Sequence, residues 1–254
     1  MQVFAPVVMM SVLRWFSRLL CATLLAAVAC LAQAANPLIT PDELQERLQA
    51  AAEDGPALRI IDVREADAYA LQHLPGAVSA PFGRWRTGGE NPGLLPSDTE
   101  LTALVQELGL QPDLPAVIVH PGNGSDDFGG AARAYWILKS LGMRDLAILD
   151  GGLGGWVAAG QAVSDHPVQV TPSDWQPQFD PRWTATREQV LDSLDQPVVL
   201  HIDARPAPFF EGRLAHNTAR ARGTLPGAVN LDSDLLFELG APELLPPDEL
   251  AAEF

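Results

Sequence analysis

The sequence has very little cysteine: Cys21 and Cys30 are the only two among 254 residues, and both lie in an apolar N-terminal segment. If that segment is removed on export, the mature chain has no thiol, so neither a disulfide nor a cysteine-based metal site can form in it. Basic residues are also scarce, with 16 Lys and Arg against 32 Asp and Glu. They form no stripe that could follow a phosphate backbone, which argues against nucleic acid as a partner.

The N-terminus has the pattern of a secretion signal. Arg14 and Arg18 precede an apolar run over 19–31, and Ala32-Gln33-Ala34 then gives a small-x-small cleavage site. We therefore predict that residues 1–34 are a signal peptide cleaved after about Ala34 and that the mature protein is periplasmic. Its removal takes away two arginines and no acid, which changes the formal net charge from −16 to −18.

Three alternatives remain open for this segment. A membrane-spanning helix is the first, but the apolar run is shorter than the roughly 20 residues needed to cross a bilayer. Translation from Met10 would still leave a compact signal. Lipidation at Cys30 is the third, although Ala27 stands where a large aliphatic residue is usual. After signal removal, we expect no membrane association.

Three short segments recur along the chain in the same order, which indicates a tandem repeat. The second copies of the first two lie 141 and 151 residues further on, so the second copy has a ten-residue insertion around 211–222. The matches are Ile61–Arg64 with Ile202–Arg205, Leu74–Val78 with Leu225–Val229, and Leu94–Asp98 with Leu244–Asp248.

Within the first copy, short apolar strands alternate with amphipathic helices, which predicts an α/β fold with a parallel sheet and helices on both faces. Capping boxes predict helix starts at Thr40, Ser97 and Thr186. The apolar patterns also predict a helix over 131–141 and a strand over 198–202. We predict a first module over 37–160, a proline-rich linker over 161–183, and a partial second module over 184–254. The sequence stops inside the helix that corresponds to the one beginning at Ser97.

These motifs together resemble the rhodanese-like (thiosulfate sulfurtransferase) family in its tandem form. The resemblance rests on Asp-x-Arg at a strand end, Leu-Pro-Gly-Ala after it, and Leu149–Gly152 followed by Trp156. It implies transfer of a sulfane sulfur through a cysteine persulfide held in a cradle of backbone N–H groups. The expected partners are a small sulfur-containing anion and a thiol acceptor, no cofactor is implied, and a protein partner is left unidentified.

The resemblance places the cysteine of the first module where Pro121 stands. The following residues are predicted to form a degenerate, active-site-like loop with Gly122, Gly124, Ser125, Gly129 and Gly130. Its glycines could form an anion nest, but two aspartates would repel an anion there. Ser125 is the only conceivable nucleophile, with no base placed beside it, so no catalytic residue is assigned.

In the second module the family's cysteine would fall at position 271, past the last residue of the sequence. We therefore expect a truncated sulfurtransferase that is inactive as written. The Asp-x-Arg pairs, Asp62 with Arg64 and Asp203 with Arg205, are predicted to support the fold by tying a strand end to the neighbouring turn. Phe209 occupies the position of a substrate-contacting arginine, which puts thiosulfate in doubt as the donor.

Two other functions stay open. The chain could be a non-catalytic binding or regulatory module that keeps the scaffold, or a phosphatase of the same fold, although such phosphatases also need the loop cysteine. No metal site is expected, because His201 and Asp203 supply two ligands without a third.

Overall fold

The computed structural model describes residues 36–253 except 54, 56, 89, 90, 92, 239 and 240. The chain divides into two compact units, 1–36 and 37–254, and the second is described below. The predicted signal peptide and both cysteines lie outside the described residues. Within the described part of the chain, no helix is long and apolar enough to cross a membrane.

A five-stranded sheet, parallel throughout, forms the centre of the first half of the unit. Its spatial order is β1-β5-β4-β2-β3, so each neighbouring pair requires a crossover connection. The strands are β1 (Leu38–Ile39), β2 (Arg59–Asp62), β3 (Ala77–Ser79), β4 (Ala116–Val119) and β5 (Leu146–Leu149). The predicted α/β class with a parallel sheet is confirmed.

Five helices accompany this sheet. They are α1 (Pro41–Ala52), α2 (Ala66–Leu71), α3 (Asp98–Glu107), α4 (Ser125–Leu141) and α5 (Gly152–Ala158), with a short 3-10 helix over Phe82–Trp85. The predicted capping boxes at α1 and α3 are confirmed, since Thr40 and Ser97 each accept from the backbone of the glutamate three residues on.

Helices cover both faces of the sheet. Side chains point alternately to the two faces along each strand, and those on each face pack into a separate apolar cluster with its own helices. Ile61 and Ile118 lie in the cluster that includes α3 and α4. Ile60 and Val117 lie in the other, which includes Leu44 of α1 and residues of α5. All four of these strand residues are buried.

The proline-rich stretch over 161–183 packs on the first module along much of its length. Val168, Val170, Trp175 and Phe179 are partly buried against the larger apolar cluster. The Nε2 of Gln106 donates to the carbonyl of Trp175 at 3.0 Å. This segment therefore adds to the core of the first module, although a 3-10 helix over Pro181–Trp183 is its only helical element.

The remaining residues form a smaller, more open region. Its elements are α6 (Arg187–Ser193), β6 (Ile202–Asp203), α7 (Ala207–Phe210), β7 (Val229–Asn230), a 3-10 helix (Ser233–Leu236) and α8 (Pro247–Glu253). The predicted cap at Thr186 is confirmed, but the strand predicted over 198–202 is restricted to Ile202–Asp203.

The repeated segments have the same backbone arrangement in both halves. β2 pairs with β3 as β6 pairs with β7, parallel and in the same register: Ile61 with Val78 and Asp62 with Ser79, Ile202 with Val229 and Asp203 with Asn230. Burial differs strongly. Ile61 is 0% exposed and its counterpart Ile202 49%, because β2 lies between β3 and β4 under two layers of helices.

Candidate functional site

The candidate site lies at the carboxyl ends of β2, β4 and β5, where binding sites of open α/β sheets are usually found. Three short connections meet there: 63–65 after β2, 120–124 between β4 and α4, and 150–151 between β5 and α5.

Asp62 and Arg64 form a buried ion pair after β2. The Nε and Nη2 of Arg64 donate to the two carboxylate oxygens of Asp62, at 3.0 and 2.7 Å, and the backbone N–H of Arg64 donates to the same carboxylate. Nη2 also donates to the carbonyl of Gln72 at 2.6 Å. The side chains are 0% and 6% exposed, so this pair fixes the strand end to the neighbouring turn and leaves the guanidinium little freedom to bind a ligand.

The second pair, Asp203 with Arg205, repeats this arrangement in a more exposed setting. The Nη2 of Arg205 donates to Asp203 at 2.5 Å and to the carbonyl of Gly223 at 2.9 Å, and Thr224 also donates to the carboxylate. The Arg205 side chain is half exposed. The bond from Arg205 holds the pKa of Asp203 well below its usual range and raises that of Arg205.

The predicted degenerate loop is shorter than the sequence suggested. Pro121, Gly122 and Gly124 lie in the connection, but Ser125, Gly129 and Gly130 belong to α4, which begins six residues before the predicted start at Ala131. The reason is electrostatic and conformational. Two acidic residues in the first turn match the positive end of the helix dipole, and Gly124 has a φ of 153° that lets the chain enter the helix.

Glycines hold the connection tightly against the start of α5. The N–H of Leu153 donates to the carbonyl of His120 at 2.9 Å, and that of Gly154 to the carbonyl of Pro121 at 3.1 Å. A Cβ on Gly122 would lie 2.1 Å from the carbonyl oxygen of Gly151. The glycines therefore serve close packing here, and the N–H groups of residues 153 and 154 are occupied by the chain's own carbonyls.

Ser125 has a close carboxylate neighbour that sequence reasoning missed. Its hydroxyl donates to Oδ1 of Asp234 at 2.6 Å, and Asp234 lies 109 residues further along the chain. The carboxylate of Asp127 accepts from the backbone and side chain of Asn123. No sequence signal links Ser125 to Asp234, because the contact depends on how the second half of the unit packs.

A cavity of about 310 Å³ opens beside this connection. Its lining includes an aromatic ring, one buried guanidinium already paired with Asp62, and three carboxylates. The lining residues are Val63, Arg64, Glu65, Phe82, Pro121, Asp126, Asp127, Gly129 and Gly130. The carboxylates make the cavity electronegative, which is unfavourable for the anionic donors of sulfur transfer.

Comparison with known proteins identifies the family. The family model described as "Rhodanese-like domain" matches residues 40–159. The probable 3-mercaptopyruvate sulfurtransferase of Pseudomonas aeruginosa is 34% identical over 85% of this chain and 78% of its own length. The chain belongs to the rhodanese-like family.

Two further relatives agree with this assignment. The thiosulfate sulfurtransferase of Gallus gallus is 30% identical over 73% of this chain and 67% of its own length. The crystal structure of SseA from Escherichia coli, described as a 3-mercaptopyruvate sulfotransferase with the rhodanese fold, matches with a TM-score of 0.73 at 28% identity. It covers 87% of this chain and 83% of the other. These rhodanese-like relatives are sulfurtransferases and support sulfur-containing substrates for this chain.

The second Asp-x-Arg pair of this rhodanese-like chain borders a cavity of about 290 Å³. Phe209 lines it, together with Arg205, His216 and Arg222. His201, for which the sequence offers only Asp203 as a second metal ligand, has its Nε2 2.9 Å from the hydroxyl of Ser193. Within the described ranges, no cluster of three or more His, Cys, Asp or Glu side chains is arranged to hold a metal ion.

His120, next to Pro121, is fully buried. Its ring makes an edge contact with Phe128, and among the described residues neither ring nitrogen has a hydrogen-bond partner of good geometry. Burial lowers the pKa of the ring, and the carbonyl of Leu149 and the charge of Asp127 oppose this shift. Burial of an unpaired imidazole therefore favours the neutral form.

A lowered pKa in the folded state makes stability depend on pH in a known direction. The unfolded chain takes up the proton first as the pH falls, so stability is complete above the ordinary histidine pKa of about 6.5 and is lost below it. We expect His120→Phe to remove this loss. Its advantage over the wild type in free energy of unfolding should grow as urea denaturation is repeated from about pH 8 down to pH 5. A constant difference would show that His120 is not the titrating group.

Proposed function

We propose that this protein is a periplasmic sulfurtransferase that moves a sulfane sulfur from a thiosulfate-like donor to a thiophilic acceptor. The observation that carries the proposal is the 34% identity to a sulfurtransferase across 85% of the chain, which includes both Asp-x-Arg pairs. The signal-like pattern of residues 1–34 supports export.

In this proposal the first module is a scaffold without a catalytic role. Pro121 stands at the cysteine position, the N–H of Asn123 in the following loop donates to the carboxylate of Asp127, and the adjoining cavity is acidic. With thiosulfate, a thiolate attacks the outer sulfur, the S–S bond breaks, sulfite leaves and the sulfur stays on the enzyme as a persulfide. With 3-mercaptopyruvate, the thiolate attacks the thiol sulfur, the C–S bond breaks, and pyruvate leaves with the thiol proton on its methyl carbon. Cyanide or a thiol then takes the sulfur and regenerates the thiolate. Residues 36–254 contain no cysteine that could do this.

The donor is proposed only as a class. One relative's name gives 3-mercaptopyruvate and another's gives thiosulfate, and both are small anions that a sulfurtransferase can desulfurise. Phe209 gives the second cavity an apolar wall where thiosulfate-using members commonly have arginine. A donor with a carbon skeleton is therefore favoured over inorganic thiosulfate.

The test is thiocyanate production from cyanide with each donor. We expect the native protein purified from the periplasm to be active, to lose activity after alkylation with iodoacetamide, and to carry the persulfide outside residues 36–254. The isolated 36–254 polypeptide should give no product above the blank. Product formation by that polypeptide, or native activity that survives alkylation, would contradict the proposal.

A second function, a non-catalytic binding module, is favoured by one observation: residues 36–254 have no thiol and Pro121 replaces the loop cysteine. It predicts a native protein that is inactive with both donors and co-purifies with a partner. Native activity that alkylation abolishes would decide against it.

A further inference from the structure

Residues 232–238 and 241–245, which together we name the docking segment, contact the first module. Its 3-10 helix over Ser233–Leu236 is capped by Asp232, whose carboxylate accepts from the N–H of Asp234. An antiparallel bridge joins Phe237 to Leu244, and the N–H of Leu245 donates to the carbonyl of Leu236 at 3.0 Å. These bonds hold the described residues of the segment to one another.

The first contact is the bond from Ser125 to Asp234. Ser125 is the first residue of α4, a helix of 17 residues, so the carboxylate of Asp234 lies near the positive end of the helix dipole. A hydrogen bond to an ionised acceptor is about twice as strong as a neutral one. The contact therefore uses a hydroxyl for which the sequence suggested only a nucleophilic role.

The second contact is aromatic. The rings of Phe128 and Phe237 meet edge to face with centroids 5.5 Å apart, and Phe128 also contacts the ring of His120. Such an edge-to-face pair stabilises a contact beyond the apolar area that it buries. Phe128 therefore links the buried ring after β4 to the docking segment.

The third contact involves the turn after β5. Oδ1 of Asp150 accepts from the N–H of Leu244 at 3.2 Å and from that of Gly151 at 3.1 Å. Oε1 of Glu243 lies 2.8 Å from the position that a Cβ on Gly151 would take, so the side chain of Glu243 also reaches this turn. Desolvation raises the pKa of Asp150, as expected for a carboxylate half enclosed by this contact.

The first module holds its own equivalent loop differently. The side chain of Arg133, on α4, donates to the carbonyls of Trp85, Gly93 and Leu94. By the repeat, Gly93 and Leu94 correspond to Glu243 and Leu244. Glu243 and Leu244 are instead contacted by Gly151 and Asp150, in the turn after β5 of the first module.

We propose that Ser125 and Phe128 at the start of α4, together with Asp150 in the turn after β5, form a socket that anchors and orients the second half of the unit through the docking segment. These three are positioning residues with no role in bond making. The inference goes beyond the proposed function, because anchoring does not require sulfur transfer to occur.

The test is amide hydrogen exchange of the full chain, read from peptides that cover 232–245. Ser125→Ala and Asp234→Ala should each speed exchange there by about tenfold, because each removes a charge-assisted bond. The double variant should be little faster than either single variant. Ser125→Thr, which keeps the hydroxyl, should retain the wild-type rate, and Asp195→Ala is the control for loss of an exposed carboxylate.

Two results would overturn the proposal. The first is exchange in 232–245 of the wild type that is as fast as in 198–229 of the same protein. The second is an exchange rate of 232–245 in Ser125→Ala that equals the wild-type rate. Exchange of β4 peptides reports whether the first module is intact in each variant. If β4 is also affected, Phe237→Ala replaces Ser125→Ala, since it alters the docking segment alone. Equal exchange in that variant and the wild type would equally contradict anchoring. None of these readouts depends on sulfurtransferase activity, so failure of anchoring is distinguishable from failure of the proposed function.

Discussion

Arg64→Ala is expected to lower the free energy of unfolding of the first module by roughly 3–5 kcal/mol, because it leaves the carboxylate of Asp62 buried without its cation. Asp62 is 0% exposed and would keep a single backbone donor, the N–H of residue 64. The carbonyl of Gln72 would also lose its donor. Urea denaturation followed by the near-UV signal of the buried Trp85 and Trp156 measures the loss.

The internal repeat supplies a matched control. Arg205→Ala removes the equivalent guanidinium, whose side chain is half exposed, while Asp203 is 10% exposed and keeps the hydroxyl of Thr224 and the N–H of residue 205 as donors. We expect a loss of about 1 kcal/mol, smaller than that of Arg64→Ala, because water replaces the exposed guanidinium. Equal losses in the two variants would show that burial does not set the value of this pair.

Much of the fold could be predicted from the sequence, because its signals are local. The capping boxes at Thr40, Ser97 and Thr186 mark helix starts by hydrogen bonds within four residues. The apolar runs of the first module predicted strands that the sheet contains. The start of α4 was missed, because Gly129 and Gly130 are poor helix formers and the acidic first turn outweighs them.

The candidate site was predictable only in part. The Asp-x-Arg motif pairs residues two apart, so its geometry follows from a short stretch of chain. The contact between Ser125 and Asp234 joins residues 109 apart and depends on packing between the two halves of the unit. The close approach of α5 to this connection has the same origin, since the N–H groups of residues 153 and 154 donate to the carbonyls of residues 120 and 121 and no pattern in 121–130 reveals it.

Gly152→Ala is expected to destabilise the first module by roughly 2–5 kcal/mol, since it combines backbone strain with overpacking. Gly152 has a φ of 56°, and a Cβ there would lie 2.5 Å from the carbonyl oxygen of His120 and 2.9 Å from the nitrogen of Gly122. Both neighbours are backbone, so the connection between β4 and α4 or the start of α5 must move. The same near-UV denaturation measures the loss.

Gly76→Ala separates the two contributions. Gly76 has a φ of 80°, and nothing lies within 4 Å of a Cβ placed on it. The Gly76→Ala variant should therefore lose only the free energy that an alanine costs in the left-handed region, about 1–2 kcal/mol of unfolding free energy. The difference between the two variants then measures how tightly the cysteine-free connection is pressed onto the turn after β5. If the losses are equal, close packing is not the reason for the glycine at 152.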